Sequence, residues 1–107
     1  MSAATMTATA ERQVVAFRLG NETYAIDISY IHEIIRMKEI TFVPRAPHYM
    51  RGVINLRGRI VPVMSLSARL GLPVQEETPQ SRIIVVEVNG ESIGMIVDAV
   101  SEVLPLP

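Results

Sequence analysis

The sequence contains no cysteine and no tryptophan, and only 5% of its residues are aromatic. The absence of cysteine excludes a disulfide framework and thiolate chemistry. No apolar run reaches the roughly 18 to 20 residues that a membrane-spanning helix requires. Charge of one sign is not in excess either: 10 Lys+Arg stand against 11 Asp+Glu, so net charge does not indicate nucleic acid or an acidic substrate. The 107 residues are instead 49% hydrophobic, which predicts one small domain with an aliphatic core.

Motifs for catalysis and for cofactor binding are also missing. Ser65 and Ser67 have no Gly-x-Ser-x-Gly setting, and neither lies near a histidine in the sequence. The two histidines, His32 and His48, lack the ligand spacing of a zinc site. No glycine-rich loop leads from a strand into a helix, as a phosphate site would require. We therefore expect no catalytic residue, no metal and no cofactor.

The stretch from Gly52 to Val63 predicts a β-hairpin around which the rest of the chain is organised. Its two apolar runs are rich in strand-forming Val, Ile and Leu, and Arg57-Gly58 between them supplies a turn. Arg57 and Arg59 should lie at or beside the tip. Because arginine suits bidentate contact with a carboxylate, this turn is a candidate contact point for a partner.

Two further hairpins are predicted from turn residues between apolar runs. One joins 13–19 to 23–28 through Gly20-Asn21-Glu22. The other joins 82–88 to 91–97 through Asn89-Gly90, the strongest short hairpin signal.

Between and after these hairpins the pattern is less regular. Ile31, Ile34 and Ile35 recur at helical spacing, which predicts a helix of about two turns ending near Lys38. Residues 40–43 indicate a short strand, 67–70 at most one helical turn, and 99–104 either a short helix or a strand.

An internal repeat is indicated by the same pattern. When residues 14–35 are moved forward by 69 positions (83 minus 14) they fall on 83–104, apolar mostly on apolar, with Glu33 on Glu102. The alternative is that two amphipathic hairpins resemble each other by pattern alone. If the repeat is real, the second copy has no counterpart of 40–72. We then expect a fragment, or a chain that borrows strands from another copy.

The middle of the chain, residues 36–69, is locally basic. Its cations are Arg36, Lys38, Arg45, Arg51, Arg57, Arg59 and Arg69, and Glu39 is its only acid. A small β-barrel that binds nucleic acid through this segment is the alternative function. The hairpin lacks the aromatic side chains on which single-stranded bases stack, which argues against it.

Three segments together resemble one family. They are Tyr24–Ile28 with Ile31–Ile35, Gly52–Gly58 with Ile60–Val63, and Gly94–Leu104. The match, from about Gln13 to the last residue, is to the CheW-like domain family of bacterial chemotaxis coupling proteins.

The resemblance implies an all-β fold with one or two short helices, arranged as two SH3-like five-stranded β-barrel subdomains. We expect residues 1–12 to form a flexible tail and 13–107 to form the CheW-like domain, incomplete at its C-terminus. Within it, 40–98 would be one complete barrel and 13–36 part of the other, formed by the chain termini.

The resemblance also implies a function. The chain would be a cytoplasmic, non-catalytic adaptor that couples the cytoplasmic tip of chemoreceptors to the regulatory domain of a histidine kinase. No nucleic acid and no membrane insertion are expected, and a strand-swapped homodimer stays open. The receptor-binding residues implied are Ile31, Glu33, Gly52, Asn55 and Arg57. The family commonly has aspartate and then Leu-Arg where this chain has Ser65-Leu66-Ser67, so a salt bridge from that acid is not expected.

Overall fold

A computed structural model describes residues 12–106 of the chain, in which nearly all regular structure is β-strand. The strands are β1 (Arg12–Leu19), β2 (Glu22–Asp27), β3 (Ile31–Arg36), β4 (Met50–Leu56), β5 (Arg59–Ser65), β6 (Arg82–Val88), β7 (Glu91–Val97) and β8 (Ala99–Leu106). A 3-10 turn, Ile28–Tyr30, precedes β3, and a four-residue helix, α1 (Leu66–Arg69), follows β5. The all-β class with short helices is confirmed. The predicted tail lies outside the described residues except for Arg12, which begins β1.

The strands form two sheets that exchange strands with each other. One has the order β2-β1-β8, and the other has the order β3-β6-β7-β5-β4. Strand β3 leaves the first hairpin to pair with β6, and β8 leaves the last hairpin to pair with β1. The five-stranded sheet therefore begins at Ile31, whereas the sequence-based division grouped all of 13–36 with the other subdomain.

The three predicted hairpins are confirmed, and their turns have the backbone that tight antiparallel connections need. Arg57 and Gly58 have φ of 54° and 85°, and Asn89 and Gly90 have φ of 54° and 79°. Two successive residues with positive φ match the right-handed twist of the flanking strands. Arginine is an unusual residue in that region, since its Cβ crowds the following carbonyl.

The predicted helix of about two turns ending near Lys38 is wrong, because β3 (Ile31–Arg36) occupies most of that segment. Exposure alternates residue by residue along β3, as on a strand. The ladder to β6 shifts between Ile31, opposite Val86, and Glu33, opposite Val85. This β-bulge adds one residue at His32. Because of the bulge, Ile31 and Ile34 lie on the same face of β3, and their separation of three positions resembles helical spacing.

The predicted strand over 40–43 is reduced to one isolated bridge. Thr41 and Val53 exchange backbone hydrogen bonds of 2.8 and 2.9 Å. Since Thr41 lies in the segment after β3 and Val53 lies in β4, the bridge joins that segment to the outer strand β4. The sheet curls so that its two edges approach each other, although no continuous ladder runs between β3 and β4 in the described residues.

Strand β6 lies between two apolar cores and contributes side chains to both. Ile83 and Val85 pack inside the curled sheet with residues of β4 and β5. Ile84 and Val86 pack on its outer face, against Phe17 of the three-stranded sheet. Burying one such aliphatic side chain contributes about 1.5 to 3 kcal/mol, so β6 holds the two sheets together.

Helix α1 begins where the sequence departs from the family pattern. The Ser65 hydroxyl accepts a hydrogen bond of 3.2 Å from the Ala68 N–H, as an N-cap residue does. Serine therefore takes over the capping that an aspartate could perform there. Among residues 12–106, no helix has the length and apolar character needed to cross a membrane.

Candidate partner-binding site

The two charged residues implied for receptor binding meet in the structure. Glu33 lies on β3, and Arg57 lies in the turn after β4, so they come from the two outer strands of the five-stranded sheet. Arg57 Nη1 and Nη2 donate hydrogen bonds of 2.5 and 2.8 Å to the two carboxylate oxygens of Glu33. This parallel, two-pronged geometry is the strongest form of an arginine–carboxylate contact.

Glu33 is largely shielded from solvent, whereas Arg57 is largely exposed. The Glu33 side chain is 20% exposed and that of Arg57 is 70% exposed. The hydrogen bonds from Arg57 lower the pKa of Glu33, while partial desolvation opposes that shift. The same contact raises the pKa of Arg57. Both groups therefore stay charged across the physiological pH range, and Arg57 presents an anchored cation at the surface.

Asn55 shapes the turn that carries Arg57. Its side-chain oxygen accepts a hydrogen bond of 2.8 Å from the Gly58 N–H. Its backbone carbonyl accepts one of 2.5 Å from Lys38 Nζ, which comes from the segment after β3. Lys38 and Glu33 thus contact the β4–β5 turn from the same side. The group Glu33, Lys38, Asn55 and Arg57 is called the turn cluster below.

Gly52 belongs to the same strand but lies away from the turn cluster. It has φ of 142°, and a Cβ at this position would lie 2.0 Å from the Thr41 carbonyl oxygen. Only glycine, which has no Cβ, lets the Thr41 backbone approach β4 closely enough to form the Thr41–Val53 bridge. Close approach of the Thr41 backbone therefore accounts for glycine at this position.

Ile31 lies on the other face of β3 from Glu33. The bulge at His32 reverses the faces, because one inserted residue moves a side chain to the opposite side of a sheet. Ile31 is partly buried and packs against the core between the two sheets. Of the five residues implied by the sequence, the structure brings Glu33, Asn55 and Arg57 together and leaves Gly52 and Ile31 elsewhere.

Three residues in or near the turn cluster were not assigned to the site by the sequence analysis. His32 Nε2 lies 3.8 Å from Glu33 Oε2, and Lys38 is bound to the turn as described. Ile60 is opposite Asn55 in the ladder and is 66% exposed. The alternation of inward Val61 and Val63 could have placed Ile60 on the outer face. It adds apolar surface opposite Asn55 on the β4–β5 hairpin.

The basic middle segment does not present all its charges to solvent. Arg57 is paired with Glu33, Lys38 donates to a backbone carbonyl, and the Arg69 guanidinium lies 5.2 Å from the Tyr49 ring centre. The Glu33 carboxylate offsets one of these charges, whereas Lys38 and Arg69 keep their charge but already have partners within the chain.

Comparison with known families matches residues 13–107 to the model of the CheW-like domain. A chemotaxis protein CheW from Rhizobium meliloti (strain 1021) is 42% identical over 93 residues, covering 87% of this chain and 60% of the relative. A probable chemotaxis protein CheW from Rhizobium etli is 40% identical over 94 residues, covering 88% of this chain and 61% of the relative. The chain thus spans about 60% of the length of these curated relatives.

A solved structure has the same fold. The scaffolding protein TtCheW from Thermoanaerobacter tengcongensis superposes with a TM-score of 0.86 at 42% sequence identity, over 91% of this chain and 63% of that protein. The superposed region therefore spans most of this chain.

Proposed function

Because the chain belongs to the CheW-like domain family, we propose that it is a non-catalytic adaptor in chemotaxis-type signal transduction. It would link the cytoplasmic tip of a chemoreceptor to the regulatory domain of a histidine kinase, and it would act in the cytoplasm. The observation that carries the proposal is the family match over residues 13–107, together with the shared fold of a scaffolding protein.

The turn cluster is the proposed receptor contact. An adaptor needs a surface whose shape persists while its partner changes, and the bidentate pair fixes Arg57 relative to β3. Arg57 has N–H groups that Glu33 does not use, so it can also donate to an acid or a carbonyl of the receptor. Exposed Ile60, opposite Asn55 on the same hairpin, would add apolar contact area.

The remaining implied residues would act by positioning. Asn55 shapes the turn, Gly52 lets the β4 edge meet Thr41, and Ile31 fixes β3 against the core between the sheets. Substituting any of them would weaken receptor binding only by displacing Glu33 or Arg57. The kinase regulatory domain would use a separate apolar surface, for which Phe42, 73% exposed, is a candidate residue.

A pull-down tests the proposed role. The 107-residue chain, immobilised through its N-terminus, is incubated with a purified chemoreceptor cytoplasmic fragment and, separately, with a kinase regulatory domain. Retention of both partners is expected, and retention of both at once would match coupling. Failure to retain either partner at concentrations of about 100 µM would contradict the adaptor role.

A further inference from the structure

A second arginine, Arg59, lies at the same end of the five-stranded sheet as the turn cluster. Strands β5 and β7 run parallel, so the β4–β5 and β6–β7 turns lie at one end of this sheet. Side chains alternate along β5, and Val61 and Val63 pack inside the curled sheet. Arg59, two positions before Val61, therefore belongs to the inner face and lies at the end of that core, opposite buried Leu56.

Other polar side chains belong to this end of the inner face. Gly94 faces the inside, since a Cβ there would meet core side chains of the curled sheet. Ser92 lies two positions before Gly94 on the same face, and Glu87 is its ladder partner on β6. Glu33 shares the face, because it lies opposite buried Val85. The group Glu33, Arg57, Arg59, Glu87 and Ser92 is called the rim group below.

Arg59 is anchored without being paired to an acid. Its Nη2 donates a hydrogen bond of 2.9 Å to the Ser92 hydroxyl. In residues 12–106, no carboxylate lies within salt-bridge distance of Arg59, and no basic nitrogen lies that close to Glu87. Arg57, by contrast, is paired with Glu33. The charge of Arg59 is therefore held in place by a neutral group, with N–H groups left to donate.

Both arginines of the rim group act on the same carboxylate. The pKa of Glu33 is lowered first by its hydrogen bonds to Arg57, and less by the charges of His32 and Arg59. Arg59 thus lies close enough for its charge to act on the Glu33–Arg57 pair. Since Arg57 offsets Glu33, Arg59 leaves a positive charge on the β5 side, and Glu87 places a negative one on β6. A carboxylate from a partner would be attracted by Arg59 and repelled by Glu87.

We propose that Arg59 is a specificity-determining contact of the receptor site, and that it binds a carboxylate of the receptor beside the part held by Arg57. This inference rests on the proposed receptor contact and goes beyond it, because Arg59 lies outside the turn cluster. The hydrogen bond to Ser92 limits the freedom of the guanidinium before binding, so less freedom is lost when its fork meets a carboxylate. A receptor with an acid at this place is thereby favoured over one with a neutral or basic residue.

Calorimetry of the whole 107-residue chain with a purified chemoreceptor cytoplasmic fragment tests this contact. Arg59→Glu should weaken binding about tenfold or more, since attraction becomes repulsion, whereas Arg59→Lys keeps the charge and should stay within about threefold of the native affinity. Glu87→Gln should strengthen binding, because it removes a repulsion from the rim group. Arg45→Glu, at an exposed position in the loop after β3, is the matched charge reversal and should leave the affinity near the native value.

Salt dependence separates a charged contact from a structural role. The affinity of the native chain should fall as salt rises from about 50 to about 300 mM, and that of Arg59→Glu should fall less, because the attraction that salt screens is gone. Ser92→Ala loses the anchor but keeps the charge, so it should weaken binding less than Arg59→Glu and keep the native salt dependence. Melting temperatures from circular dichroism show that each variant is folded.

A charge-reversal screen identifies the carboxylate on the receptor. Fragments in which single acidic residues are changed to arginine are each titrated with the native chain and with Arg59→Glu, and one of them should bind Arg59→Glu more tightly than the native chain. The inference is overturned if Arg59→Glu binds the unchanged fragment like the native chain, if Glu87→Gln weakens binding as much as Arg59→Glu does, or if no fragment prefers Arg59→Glu. A native chain that does not bind the fragment at all contradicts the proposed adaptor function itself, and this contact with it.

Discussion

Arg57 and Glu33 tie together the two outer strands of a five-stranded sheet through hydrogen bonds of 2.5 and 2.8 Å. Their sequence separation spans an entire loop and strand, so the contact closes the sheet rather than one hairpin. The Thr41–Val53 bridge closes it a second time, nearer the other end of β4. The surface proposed to bind a receptor therefore also holds the two edges of the sheet together. Tests of function must separate receptor binding from stability of the fold.

The variant Arg57→Asn separates the contribution of Arg57 to stability from its proposed contribution to receptor binding. Arg57 has φ of 54°, a region that asparagine adopts at lower cost, and Asn-Gly already forms the β6–β7 turn of this chain. We expect the melting temperature to stay within a few degrees of the native value, since the better turn offsets the lost ion pair. Arg57→Val has no such compensation and should melt at a lower temperature, because β-branched residues tolerate positive φ poorly. Thermal unfolding followed by circular dichroism measures both, and equal melting of the two variants would contradict this account of the turn.

Asp27→Asn should change stability only above a defined pH. The pKa of Asp27 is lowered from 3.8 to about 2, first by the Ser29 N–H and then by Arg12. A lowered native pKa means that the carboxylate stabilises the fold above the ordinary pKa, and that this advantage is lost as pH falls through the native one. The native chain should be more stable than the variant at pH 5, and the difference should shrink from about pH 3.8 to 2.

Denaturant unfolding at several pH values measures this difference. Arg12→Ala is the companion variant, which keeps the Ser29 contact and should retain part of the pH dependence. A gap between native chain and Asp27→Asn that is the same at pH 5 and pH 2 would refute the assignment of the effect to this carboxylate.

Gly52→Ala should destabilise the chain more than Gly71→Ala does. Both glycines have positive φ, 142° and 75°, but only at Gly52 would the new Cβ meet a backbone atom, the Thr41 oxygen at 2.0 Å. Gly71→Ala should cost about 1 to 2 kcal/mol of backbone strain. Gly52→Ala must in addition break the Thr41–Val53 bridge. Urea unfolding gives both values, and a smaller loss at position 52 would mean that the bridge contributes little.

The nucleic-acid alternative makes a contrasting prediction. A protein that neutralises several phosphates binds oligonucleotides with a steep dependence on salt. Because Arg57, Lys38 and Arg69 are engaged within the chain, we expect no binding of a single-stranded 20-mer tighter than about 100 µM, even at low salt. Fluorescence anisotropy at two salt concentrations measures it. Salt-sensitive binding that Arg45→Ala and Arg51→Ala weaken would favour the alternative.

The sequence predicted the hairpins because their turns depend on local chemistry. Asn89-Gly90 adopts the positive φ that its residue types indicated. Arg57-Gly58 also adopts it, since Gly58 between two apolar runs indicated a tight turn, although arginine is unusual there. The repeat, too, could be read from apolar positions alone, since each copy buries the same faces. The family motifs assigned Glu33 and Arg57 to one site. They did not predict that the two side chains contact each other.

The errors arose where tertiary structure decides. Ile31 and Ile34 have helical spacing because a bulge at His32 shifts the phase of a strand, and nothing in the local sequence indicates that bulge. The crossing of β3 into the other sheet depends on pairing with β6, which is distant in sequence. The same bulge turns Ile31, which the family resemblance assigned to the receptor site, toward the core between the sheets.

The most direct test is a double-mutant cycle on receptor binding. Calorimetry with a chemoreceptor cytoplasmic fragment compares the native chain with Arg57→Asn, Glu33→Gln and the double variant. If the ion pair acts as one unit, each single change should weaken binding about tenfold, and the double variant should be no weaker than the worse single variant. Arg45→Ala, an exposed arginine outside the turn cluster, should bind like the native chain. Native affinity in all three variants of the pair would contradict the claim that Glu33 and Arg57 form the receptor contact.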